Sequence, residues 1–143
     1  MVNNATKTAR TAEADTRNAP GMCLQQSRQW AGIDPRYPDA ATAWRNVNDK
    51  HRDTNPPRGA FVYWVGGSRG FGHIGVSMGK RRVRSTDAGG WGRVATRPIG
   101  WFSRHWSSLK YAGWAWDVNE VTIPHRKPPA TKAPARKTAG RKR

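Results

Sequence analysis

Hydrophobic patterning is strongest over residues 56–87, PPRGAFVYWVGGSRGFGHIGVSMGKRRVRSTD. Three strands are predicted there. The first covers residues 60–65, apolar, β-branched and aromatic, introduced by Pro56-Pro57-Arg58-Gly59 and broken by the glycine cluster that begins at Gly66. The second covers 73–78 and the third 83–87, with Gly79-Lys80-Arg81 as the turn. Alternation along a strand puts His73, Gly75 and Ser77 on one face and Ile74, Val76 and Met78 on the other. Val83, Ser85 and Asp87 share a face of the third strand. A three-residue connection pairs position 78 with 82 and sets His73 opposite Asp87, with side chains about 5 Å apart at Cβ. A two-residue connection sets Thr86 there instead.

The rest of the chain supplies shorter elements. Residues 1–18 are polar with a small-residue stripe (Ala5, Ala9, Ala12, Ala14), compatible with a short helix or with an irregular segment. After the Pro20-Gly21 turn, the run from Cys23 carries no breaker until Gly32, a helix stop, so Cys23 falls in the first turn of a helix. Residues 38–45 read as a second helix. Residues 46–58 hold Val47, two prolines and many charges, and read as a loop in which His51 is solvated. Residues 88–92 are a glycine-rich turn, 93–96 a short strand and 98–106 a helical turn or two. Residues 109–116 form a last long strand, and 118–124 close the fold. Most of the eight tryptophans read as core, Trp30, Trp64 and Trp114 among them, whereas Trp91, flanked by glycines, reads as a cleft wall. The fold class expected is α+β, with a helix packed on a small antiparallel sheet.

Composition sets limits on the chemistry. At 143 residues the chain is one domain with room for a tail. No apolar run is long enough to span a membrane, and the first twenty residues lack the apolar core of a secretory signal. A single cysteine excludes an internal disulfide or a multi-cysteine zinc site. The histidines at 51, 73, 105 and 125 show no metal-ligand spacing, so neither metal nor cofactor is expected. The net charge is +17. Residues 125–143, HRKPPATKAPARKTAGRKR, carry eight Lys/Arg and no acid, leaving +9 on residues 1–124. That segment is too polar to offset its ordering entropy and reads as a disordered basic tail, with residues 1–124 as the folded domain. Such charge draws polyanions: nucleic acid, anionic wall polymers or acidic membrane surfaces.

Cysteine at a helix start is chemically favoured. Free N–H groups and the helix dipole there stabilise negative charge, lowering a thiol pKa and offering an oxyanion site. A histidine on a following strand, oriented by a carboxylate, would complete a nucleophile–base–orienter set. Cys23, His73 and Asp87 are the candidates, with Ser85 as the alternative third member. Trp91, Trp64 and Ser85 are the candidate substrate contacts.

These residues carry a more specific resemblance. PPRGAFVYW resembles the "P-G-D-hydrophobic-hydrophobic-x-W" strand of NlpC-type and CHAP-type peptidoglycan hydrolases, with Ala60 where the family has aspartate. GHIGVSMGKRRVRSTD resembles their histidine strand and hairpin, GMCLQQSRQWAG their nucleophile helix, and YAGWAWDVNEVTIP the ending of such domains in actinobacteriophage endolysins. The resemblance covers about residues 5–124. It implies a papain-like fold and a monomeric cysteine peptidase or N-acetylmuramoyl-L-alanine amidase. Cys23 would be its nucleophile and His73 its base, with Asp87 or Ser85 third. It further implies a bacteriophage lysin made in the host cytoplasm and acting at the cell wall or carried in a virion. Two other readings stand beside it: a non-catalytic nucleic-acid-binding protein with a histone-like tail, and a catalytically dead wall-binding domain of the same fold.

Overall fold

The structure, a computed structural model, describes residues 2–17 and 19–126. The proposed disordered tail falls almost wholly on residues 127–143, outside the described residues. His125, at the start of that segment, stacks on Trp116 at 4.2 Å between ring centroids, so the folded part extends past Pro124.

Among the described residues four helices and seven strands follow in the order α1 (Ala5–Ala14), α2 (Cys23–Ala31), α3 (Ala40–Arg45), β1 (Phe61–Gly66), β2 (His73–Gly79), β3 (Arg82–Ser85), β4 (Ala95–Pro98), α4 (Trp101–His105), β5 (Leu109–Ala115), β6 (Asp117–Val118) and β7 (Val121–Thr122). The first five strands make one antiparallel sheet in the order β4-β3-β2-β1-β5, and β6 pairs with β7. The chain is thus a small α+β fold with an antiparallel sheet. Among the described residues no helix is long and apolar enough to cross a membrane.

Register explains how the sheet is covered. Direct pairs share a face: Tyr63 with Ile74, Phe61 with Val76, Val76 with Arg84. On that face Tyr63 meets Trp44 of α3, and the Arg84 guanidinium reaches the carbonyls of Ala12 and Asp15 at the end of α1. The opposite face carries Trp64 paired with His73, and Phe102 of α4 packs on both rings. Both faces being covered, β1 reads as a continuous apolar run rather than an alternation, and Phe61 to Trp64 are wholly buried.

The N-terminal segment is a helix, capped by the Asn4 side chain on the Lys7 N–H. Its stripe buries Ala5, Ala9 and Ala12, small enough for close approach to α2, while Ala14 stays exposed. α2 starts at Cys23 and ends at Gly32 in the left-handed conformation, as its sequence predicts. The loop at 46–58 is more anchored than its composition implies. His51 pairs with Trp114 on the outer side of β5 and stacks on its ring at 4.0 Å, and Asp53 accepts from Trp114 Nε1. His51 is therefore half-buried against Trp114 rather than free in solvent.

Candidate active site

α2 packs against β2 and brings its first residue to the beginning of that strand. Cys23 and His73 line one cleft of about 690 Å³. Its walls come from the Gly21–Met22 entry to α2, the glycine-rich loop between β1 and β2, the segment 105–109, and Asp87 with Trp91. The backbone of Ile74, next to His73, and of Cys23 and Leu24 at the start of α2 favours the anionic form of the Cys23 sulfur.

His73 is 6 % exposed and boxed by aromatic rings, with Trp64 at 5.8 Å, Phe102 at 5.6 Å and Trp106 at 5.1 Å between centroids. Its Nε2 lies 2.9 Å from Ser85 Oγ. Thr86 O lies 3.3 Å from the same hydroxyl; when Ser85 donates there, its oxygen accepts from His73 Nε2–H and the lone pair of the imidazole is left on Nδ1. That tautomer is the one a general base needs.

The pairing of His73 with Asp87, expected from the strand register, does not occur. The register itself is the one a three-residue connection gives over Val76↔Arg84 and Ser77↔Val83. However, β3 ends at Ser85, and Asp87 has left the sheet with φ +66°. Its carboxylate accepts from the backbone N–H of Gly21, at 3.0 Å, and of Gly92. Asp87 thus ties the entry of α2 to the loop that carries Trp91. Thr86 is buried and donates to Ala19 O at 2.7 Å, which fastens the same two segments. Ser85 reaches His73 diagonally because Gly75 stands between them without a side chain; a Cβ there would sit 2.9 Å from Ser85 Cβ.

The candidate substrate contacts divide. Trp91 is 78 % exposed and lines the cleft, with its ring edge over Gly21. Trp64 is fully buried and has no surface to offer a substrate; it is the floor under His73. Ser85 is also fully buried, and its hydroxyl serves the imidazole. Two wall residues escape sequence reading. Met22 and Phe71 are 49 % and 54 % exposed, and with Trp91 they are the exposed large hydrophobics among the described residues; all three line this cleft. The one signal for Phe71 is a lone aromatic in a run of glycines.

Electrostatics also differ from the helix-terminus expectation. Burial pushes the Cys23 thiol up to about 11, and the Asp87 charge adds to it, outweighing the N–H groups that favour a thiolate. Burial pushes His73 down to about 3. Both shifts favour the neutral forms, thiol and imidazole, over thiolate and imidazolium. Such a pair moves its proton during nucleophilic attack rather than before it.

Comparison with protein-family models, with curated proteins and with solved structures found no match.

Proposed function

We propose that this chain is a papain-like cysteine hydrolase of the NlpC/CHAP type that cleaves an amide of bacterial peptidoglycan. The observation that carries the reading is the shared cleft: a lone cysteine heads a helix, and a histidine with an oriented ring opens the strand beside it. The order and spacing of the four sequence motifs support the substrate class, as do the exposed aromatic residues at the cleft, which suit the flat faces of sugar rings and peptide groups.

In the proposed mechanism His73 Nδ1 takes the Cys23 proton as sulfur attacks the amide carbonyl carbon. The carbonyl π pair moves onto oxygen, and the oxyanion accepts hydrogen bonds from the Cys23 N–H and a neighbouring donor. Collapse breaks the C–N bond, and the amine leaves with the proton held by His73, giving a thioester. Water then attacks, losing its proton to His73, and the thiol and the carboxylic acid are released. The neutral imidazole is the competent form of the base, and its low pKa keeps it so at neutral pH.

The cationic charge supports a second property, attraction to anionic wall polymers or nucleic acid through residues 125–143 and the surface of the folded part. The reading is tested on purified bacterial cell walls, with mass spectrometry of the released fragments. New amine and carboxyl termini that Cys23→Ala does not produce are expected. Sequence-selective DNA binding with no hydrolysis of any wall preparation would favour the nucleic-acid reading instead.

A further inference from the structure

The cleft carries a charge pattern that bears on its substrate. Its two carboxylates are both turned to backbone: Asp39 caps α3 on the Thr42 N–H at 2.8 Å, and Asp87 holds Gly21 and Gly92. Of its two arginines, Arg28 spends one N–H group on Ile33 O. Arg69 is exposed and lines the cleft with no hydrogen-bond or ion-pair partner among the described residues.

Arg69 is also held in place by its backbone. It sits in a tight turn closed by Gly70 N–H on Gly67 O at 3.1 Å. The flanks of that turn are fixed by Gly67 N–H on Ser108 O, Gly72 N–H on Gly66 O and Ala41 N–H on Phe71 O. The turn leads, within three residues, into His73. A guanidinium on a turn anchored by backbone hydrogen bonds, in the cleft that also holds His73 and whose acids are already engaged, is a ready receptor for an anion. Its planar fork matches a carboxylate.

We propose that the cleft selects an amide substrate bearing a free carboxylate near the scissile bond, and that Arg69 pairs with that carboxylate. The inference rests on the hydrolase reading and adds a specificity to it. In a stem peptide the group would be a free main-chain or side-chain carboxylate, and amidation would remove it.

The test uses two soluble muropeptides of one sequence, one with its stem carboxylates free and the other with them amidated. Turnover of each is measured with the full-length protein and with Arg69→Gln and Arg69→Lys. The wild type is expected to favour the free form by tenfold or more in kcat/KM, carried by KM, in keeping with the loss of a charge-assisted hydrogen bond. In Arg69→Gln that preference should fall to about one, and Arg69→Lys should keep part of it. A wild-type ratio near one, or an undiminished ratio in Arg69→Gln, overturns the carboxylate proposal and leaves the hydrolase reading standing. No turnover of either muropeptide overturns both.

Discussion

At the scale of single residues, burial decides the chemistry of the candidate pair. A cysteine at a helix start is expected to be acidic, and this one is held up at about 11 because its sulfur is desolvated. The sequence gives the helix terminus but not the depth of the sulfur. Alkylation of Cys23 by iodoacetamide should therefore accelerate as pH rises from 8 towards 11, with no plateau on the acid side. A plateau below pH 7 would mean a thiolate–imidazolium pair and contradict this picture. Burial of His73 also sets a linkage. The folded pKa of His73 is depressed below its unfolded value, so the unfolded chain binds the extra proton as pH falls from about 6.5 towards 3, and stability is lost over that window.

The third member of the set shows where pattern reading stops. Alternation gave the face that His73 and Ser85 share, but not the diagonal reach between them, nor the point at which β3 ends. Ser85→Ala should lower kcat about tenfold, because a buried Nε2–H loses its acceptor and the tautomer loses its restraint. Asp87→Asn should act differently, removing a negative charge that raises the thiol pKa. Its alkylation profile should shift to lower pH, with a smaller loss in kcat than Ser85→Ala. A larger kcat loss in Asp87→Asn than in Ser85→Ala would restore Asp87 as the partner of His73.

At the scale of elements, the hairpin of β2 and β3 works through the absence of a side chain. A Cβ on Gly75 would lie 2.6 Å from Val83 Cγ1 and 2.7 Å from Arg84 O, besides its contact with Ser85. Gly75→Ala should cost about 1–3 kcal/mol of stability by overpacking, and lower kcat by moving Ser85 off the imidazole. Denaturant titration beside turnover reads both effects. Helix α1 docks through polar groups that its alanine stripe does not reveal. Asp15 accepts from Trp30 Nε1 at 2.8 Å and Gln26 Nε2 at 2.9 Å, and pairs with Arg17. Burial opposes its ionisation, but the hydrogen bonds from Arg17 and Trp30 outweigh it and hold the carboxyl below the usual range. Its contribution is therefore present above about pH 4 and fades as pH falls below that. Asp15→Asn should lower the denaturation midpoint at pH 7 by about 1 kcal/mol equivalent, with the gap narrowing at pH 3. The strands and α2 were legible because their patterns are local. These long-range polar ties were not, since Asp15 and Trp30, or Asp87 and Gly21, carry no periodic signal.

At the scale of the whole molecule, charge and chemistry separate along the chain. Cys23, His73 and Ser85 belong to the folded part, while residues 127–143 contribute seven Lys/Arg and no acid. A chain ending at Arg126 should bind intact anionic walls, and DNA, more weakly than the full chain at low salt. The gap should close as salt rises, because such binding is mostly counterion release. Its turnover of a soluble muropeptide should be unchanged. Loss of that turnover on truncation would show that the basic segment belongs to the catalytic fold.

Whether Cys23 is a nucleophile acting on peptidoglycan is decided by hydrolysis of purified cell walls by wild type and by Cys23→Ala, with both proteins shown folded by circular dichroism. Removing a covalent nucleophile costs orders of magnitude in rate, whereas a cysteine-to-alanine change at the first position of α2 should cost little stability. The wild type is expected to release new peptide termini and folded Cys23→Ala none. Equal hydrolysis by the two proteins would contradict that role for Cys23.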